Sequence, residues 1–286
     1  MNNNTSNLSS YNFNFQQEVL DTFNDRVKEI ELFYGLIDKF ESVNSAQVIS
    51  VDDSIDLITE NDLVIPLGKD VKFAVRTILN KLGLEKPDID LINIFKSNSI
   101  LLLYNLIEST VSNTDRFILK TISNANVLYS ESTPKVKEFW VEHMSKFNKT
   151  EYLVTAISLL DKVQTIKINI DKQYNDNEKE FQGNLDPKRV DEILSRYGIE
   201  STKIRMIKQE TERTSVKNIV TWRNDLAHGK YSFAEFGRDK LRFRNTGKSN
   251  RENDILFLKE SCLIFMEIFL TNVETYVEEK LYKTAQ

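Results

Sequence analysis

Apolar residues recur along most of this chain at spacings of three and four. That is the period of an α-helix with one buried face. Leu20, Phe23, Val27, Ile30, Tyr34 and Ile37 form the first such stripe, predicting a helix from about Asn14 to Val43. The period is lost over "AQVISVDDSIDLITENDLVIPLGKD", where short β-like runs alternate with turn residues. This reads as an irregular insertion or small hairpin near residues 46–68. A helix over about Val71–Leu82, ended by Gly83, is expected next.

"DLINIFKSNSILLLYNLIESTVSNTDRFILKTIS" predicts a long central helix, apolar almost all round over residues 100–107. Asn105, Glu108, Ser109 and Ser112 form its one polar strip. Pro134 opens a helix striped by Val136, Phe139, Trp140, Met144 and Phe147, and a further helix is expected over about 151–163. "KQYNDNEKEFQGN" reads as a polar loop. In "DPKRVDEILSRYG", Asp186 is placed to cap a helix, Pro187 to occupy its first turn and Gly198 to follow its end. Another helix, starting near Thr214 or Ser215, turns Ile219, Trp222 and Leu226 inward and ends at His228–Gly229. The last, from about Glu252 to Lys280, carries Ile255, Leu258, Cys262, Phe265, Phe269, Val273 and Tyr276 on one face. The prediction is an all-α bundle: a flexible tail over residues 1–13 and one helical domain over 14–286, with the 46–68 insertion.

Composition agrees with mostly helix, since the 286 residues include only 8 Gly and 4 Pro. A single cysteine, Cys262, excludes an internal disulfide and fits a reducing compartment; on an apolar face it is expected to be inert. One Cys and two His provide no zinc framework without carboxylates. The Asn/Ser-rich start lacks the basic and apolar regions of a signal peptide, and "SILLLYNLI" is too short to span a membrane, so a cytoplasmic protein is expected.

The net charge of −5 argues against a polyanion partner until its distribution is considered. Residues 201–251 hold 13 Lys/Arg against 5 Asp/Glu. That is a local footprint for a polyanion. It surrounds "TWRNDLAHGKYSF", which packs Arg223, Asn224, Asp225, His228 and Lys230 into eight positions. Asn224 and His228 are i and i+4, so Asn224 is placed to orient the imidazole. In the last turn of a helix, His228 meets a dipole that favours its protonated ring. Histidine and arginine without metal ligands suit cleavage of RNA, whose own 2′-hydroxyl is the nucleophile. The histidine moves a proton, and the arginine grips the phosphate and the charge that develops on it. The competing reading is a polar helix end that merely carries a histidine.

"RNDLAHGKYSF" followed by "GRDKL" resembles the Arg-x4–6-His signature of the HEPN superfamily and, more narrowly, the bacterial MAE-like HEPN proteins. "KSNSILLLYNLIEST", "GNLDPKRVDEILSRYGIES" and the closing amphipathic helix extend the resemblance over roughly residues 90–280. The resemblance implies a four- or five-helix bundle that dimerises. It also implies a metal-independent endoribonuclease acting in toxin–antitoxin, restriction-linked or antiphage systems, with RNA as substrate and no cofactor. Arg223 and His228 match the family's catalytic pair, and Asn224 matches the polar residue that follows the arginine. The insertion and the long first helix go beyond a minimal HEPN fold.

Several other residues keep more than one reading. Asp225 and Glu108 are candidate supporting residues; Glu108 either pairs with Arg223 or lines the cleft, or makes a structural salt bridge. Lys230 and Tyr231 contact RNA or belong to a solvated loop. Arg238, Lys240, Arg242, Arg244, Lys248 and Arg251 form a phosphate track, a solvated loop or the docking surface of an acidic antitoxin. His143, between Trp140 and Phe147, is read as structural. Arg223 and His228 point about 140° apart on an ideal helix. A homodimer that brings two motif helices to one composite cleft would resolve that divergence. The rival functions are a non-catalytic HEPN module that binds RNA or a partner protein, and a scaffold subunit of a restriction complex.

Overall fold

The computed structural model of the chain describes residues 15–45, 47–51, 54–58, 64–65, 89–147, 184–199, 210–242 and 253–284. For 42–45, the three strands and 143–147 it describes the backbone only. Seven α-helices are present among these residues: α1 (Asp21–Ser45, entered through a π-helical turn Gln16–Leu20), α2 (Ile89–Asn124), α3 (Pro134–Phe147), α4 (Pro187–Arg196), α5 (Glu210–Ala227), α6 (Phe233–Lys240) and α7 (Ile255–Glu278). The insertion is an antiparallel meander of β1 (Gln47–Val51), β2 (Ser54–Ile58) and β3 (Val64–Ile65). Val51 pairs with Ser54 in the first hairpin, and Leu57 with Ile65 across the second. The helices expected over 71–82 and 151–163, the polar loop after 171 and the tail 1–13 lie outside the described residues.

The described residues group into two compact units. One comprises those up to Arg26, from Asn105 to Val220 and from Ser261 on; the other runs from Val27 to Tyr104 and from Thr221 to Glu260.

The first unit is built on aromatic packing. Tyr197, buried to 1% exposure, meets Phe139 edge-on at 5.5 Å between ring centroids. Tyr276 lies 6.5 Å from Tyr197 and 6.0 Å from Tyr282. Their hydroxyls are satisfied by specific partners, as buried phenols require. Tyr197 Oη donates to the buried carboxylate of Asp115 at 2.6 Å, and Tyr276 Oη donates to the Tyr197 carbonyl at 3.0 Å. Burial drives the Tyr276 phenol far above its usual pKa, so it stays a donor. Cys262 is fully buried, which pushes its thiol up to about 12 and makes it a poor nucleophile at neutral pH.

Helix α4 has the expected boundaries. Asp186 Oδ1 accepts from the Arg189 N–H at 2.8 Å, and Pro187 occupies the first turn. Beyond its end Gly198 takes φ +78°, with the Gly198 N–H donating to Ser195 O and the Ile199 N–H to Leu194 O. That is a Schellman closure. Arg213 ties α5 to α4 through two guanidinium bonds to the Asp191 carboxylate, at 2.6 and 3.2 Å.

In the second unit, Phe95 of α2 stacks on Phe40 of α1 and receives Phe33 edge-on. Lys96 pairs with Glu41, and Lys259 with Glu31 at 2.7 Å. Helix α6 was not expected; a solvated loop was one of the readings of its basic residues. The structure supplies a full capping box at its start: Ser232 accepts from the Glu235 N–H while Glu235 accepts from the Ser232 N–H. Helix α5 also begins at Glu210, a turn before the expected Thr214 or Ser215. Helix α7 begins at Ile255, behind the Asp254 carboxylate that caps it.

Candidate active site

The motif occupies the C-terminal end of α5. Trp222 and Leu226 turn inward, and Trp222 packs edge-on against Phe236 of α6 at 5.9 Å. Helical hydrogen bonding runs one residue past Ala227, the His228 N–H donating to the Asn224 carbonyl at 2.9 Å. Gly229 then takes φ +67°. Its N–H donates to Leu226 O at 3.1 Å, and the Lys230 N–H to Asp225 O at 2.9 Å. This second Schellman closure makes His228 the C-cap residue, with Gly229 in the left-handed position that glycine adopts most readily. The "HG" of the sequence is thus a backbone device. His228 is exposed.

Arg223 is half-buried, and its surroundings are specific. The guanidinium carbon lies 4.2 Å from the ring centroid of Tyr104, a buried residue of α2. That distance is well inside the range of a cation–π contact. Nη1 donates to Asn224 Oδ1 at 3.0 Å. The remaining guanidinium donors meet no acceptor among the described residues. Asn224 therefore holds the arginine through its side chain and His228 through its backbone carbonyl. The i, i+4 spacing had instead suggested a side-chain bond from Asn224 to the imidazole.

Asp225 receives Lys230 Nζ at 3.2 Å on both carboxylate oxygens and accepts the Lys230 N–H on its main chain. It closes the turn after the histidine. Lys230 Nζ lies 5.4 Å and Lys240 Nζ 5.7 Å from the ring centroid of Tyr231, which packs at a tilt on Phe236 at 5.8 Å. Two exposed cations thus gather around one half-buried ring beside the motif.

The other candidates are dispersed. Arg238 pairs with Asp239 at 3.1 Å and Asp90 at 4.0 Å, so part of its charge is already matched within the chain. Arg242 is exposed, and its main chain bridges to Asn253 and Ile255 ahead of α7. Arg244, Lys248 and Arg251 lie outside the described residues. Glu108 is half-buried on α2 with no ion pair among the described residues. Of the polar strip, Asn105 is exposed, while Ser109 and Ser112 are half-buried. Of His143 only the backbone, within α3, is described. Among the described residues no three His, Cys, Asp or Glu side chains cluster as metal ligands would. No helix among them is long and apolar enough to cross a membrane.

Sequence reasoning missed Tyr104 as part of the site. It reads as one more apolar position in "ILLLYNLI", and only the tertiary fold carries it to Arg223. It also missed that Lys240 reaches Tyr231, which requires α6.

The model of the MAE_28990-like HEPN family matches residues 15–282, nearly the whole chain. No curated protein and no solved structure matches it. HEPN domains usually cleave or bind RNA and often dimerise. An all-α chain matched from its first described helix to the turn after its last is, by that match, a member of the HEPN superfamily, in its MAE_28990-like family.

Proposed function

We propose that this chain is a metal-independent endoribonuclease with Arg223 and His228 as its catalytic pair. The observation that supports this most directly is the state of Arg223. Its guanidinium is fixed on Tyr104 and Asn224, while its other donors have no acceptor among the described residues. An anchored, incompletely partnered guanidinium suits a bidentate grip on phosphate. The exposed imidazole is five residues on, at a rigid helix end.

In the proposed reaction the ribose 2′-oxygen attacks the adjacent phosphorus. His228 takes the 2′-hydroxyl proton, the bond from phosphorus to the 5′-oxygen breaks, and the leaving oxygen is protonated. The products are a 2′,3′-cyclic phosphate and a 5′-hydroxyl. Arg223 stabilises the extra negative charge on the phosphoryl oxygens. Base and acid are two roles. A homodimer with a composite cleft supplies two His228 side chains for them and also answers the divergence of Arg223 and His228 around one helix. Lys230, Tyr231 and Lys240 form a flanking subsite in which the cations hold backbone phosphate beside an aromatic ring. By family resemblance, the activity belongs to a cytoplasmic effector of antiphage defence or a toxin–antitoxin pair.

The test is cleavage of single-stranded RNA in excess EDTA, with end-group analysis of the products. Cyclic phosphate ends, resistance of DNA and loss of activity in His228→Ala are expected. Mixed dimers of wild-type and Arg223→Ala/His228→Ala chains are expected far below half activity. Strict Mg²⁺ dependence, or equal cleavage of DNA, overturns the mechanism. RNA binding without cleavage in wild type leaves the non-catalytic HEPN module as the function. Half-active mixed dimers place a complete site in each chain.

A further inference from the structure

We infer that Tyr104 is a positioning residue for Arg223, through which α2 sets the plane and direction of the guanidinium. This rests on the proposed ribonuclease reading of the same site. Tyr104 is 1% exposed, so its ring is held by the core and cannot follow a mobile partner. The guanidinium carbon is 4.2 Å from its centroid. Contact over the ring face shields the guanidinium from water on that side, and a guanidinium laid flat there loses contact when it tilts. Asn224 Oδ1, bonded to Nη1 at 3.0 Å, then opposes rotation within the plane. One contact fixes the plane and the other the angle.

A guanidinium donates in its own plane, so fixing the plane fixes where a phosphate is held. The donors not used by Asn224 are aimed before substrate arrives, and little reorganisation is left for the transition state. A lysine at 223 has no plane for the ring to set, so it could not inherit this arrangement. The proposed effect is carried by the face of the aromatic ring.

The experiment compares Tyr104→Phe and Tyr104→Leu in the full-length protein, well below the melting temperature of each. The first readout needs no activity: the ¹⁵N–¹H signal of the Arg223 side chain, assigned by its loss in Arg223→Lys. A ring-current upfield displacement is expected in wild type and Tyr104→Phe and is expected to vanish in Tyr104→Leu. The second is steady-state cleavage of a fluorescein-labelled single-stranded RNA of mixed sequence. Tyr104→Leu should lower kcat by roughly 10- to 100-fold with a smaller change in KM, as misplacement of a catalytic group does. Tyr104→Phe should stay within about threefold of wild type. Absence of the displacement in wild type, or a fully active Tyr104→Leu, overturns the inference, as does equal loss in both variants. If wild type fails to cleave RNA, the proposed function falls. The inference is then judged on the displacement and on affinity for the same RNA, and Tyr104→Leu binding as tightly as wild type overturns it.

Discussion

Gly237 of α6 rests against the backbone of Asn93 in α2 with no room for a side chain: an added β-carbon would overlap the Asn93 carbonyl. Beside this contact Ser97 Oγ donates to the Phe233 carbonyl at 2.6 Å. These two contacts hold α6 on α2, and α6 carries Lys240 and the Phe236 ring that backs Tyr231. Gly237→Ala must push the helices apart, since the obstacle is backbone and cannot rotate away. A loss of about 1–3 kcal/mol or more is expected in urea unfolding, the range for forced overpacking. A change below about 0.5 kcal/mol would show that α6 does not dock this way.

A different glycine effect is expected at Gly229. A β-carbon there meets nothing within 4 Å, so the cost of Gly229→Ala is the left-handed backbone alone, about 1 kcal/mol. Gly229→Asn should cost less, because asparagine tolerates that conformation. Lys280 is the mirror case. It holds φ +51° in an equivalent closure, its N–H donating to Val277 O while the Leu281 N–H donates to Tyr276 O. Lys280→Gly should raise stability by roughly 0.5–1 kcal/mol. Calorimetric melting of the three variants reads both signs.

Arg223 and His228 should separate in stability while agreeing in activity. Each alanine variant is expected to lose at least about 100-fold in RNA cleavage. His228 is exposed, so His228→Ala should unfold within about 0.5 kcal/mol of wild type. Arg223 is half-buried on Tyr104, and its removal should cost about 1 kcal/mol in lost stacking and packing. Arg223→Lys should stay poorly active. Unimpaired cleavage by His228→Ala, or a large loss of its stability, would mark the histidine as structural.

Glu274 gives α7 a pH signature. Burial, reinforced by the charge of Glu278 one turn away, raises its carboxyl above the usual range. The fold thus binds this proton more tightly than the unfolded chain does. The group's contribution to stability is therefore greatest at low pH and falls as pH rises from the unfolded value, about 4.3, through the folded one. Glu274→Gln should be more stable than wild type at neutral pH, with the difference vanishing near about pH 3.5. A difference that persists unchanged in acid would assign it to packing instead.

The sequence was most legible where local chemistry decides the structure. Asp186, Pro187 and Gly198 bound α4 through their own backbone preferences, and the apolar stripes of α1, α2 and α7 correspond to buried faces. "RNDLAHG" carried the family and the end of α5. Legibility failed for α6: no helix was expected there, and the basic run from Arg238 kept a solvated loop among its readings, although Ser232-x-x-Glu235 spelled a capping box. A short helix with a weak stripe depends on where it docks, and that is decided by Asn93, more than a hundred residues away. The partner of Arg223 was hidden for the same reason. Tyr104 has the sequence signature of any core tyrosine, and its contact with Arg223 exists only once these two residues are brought together within the second unit.

The closure after α5 also governs how much motion remains to the histidine. The amides of His228, Gly229 and Lys230 are all bonded back into the helix end, and the Lys230 ammonium clasps the Asp225 side chain over the same turn. The main chain beneath an exposed imidazole is therefore as constrained as a helix interior, leaving the ring only its two side-chain torsions. Freezing one such side chain costs about 0.5–1.5 kcal/mol, whereas ordering a loose loop would cost that much again for nearly every residue in it. In hydrogen exchange these surface amides should behave like those of the helix body and not like those of a loop. A ligand meeting this edge of the protein finds a surface that has already given up most of its entropy.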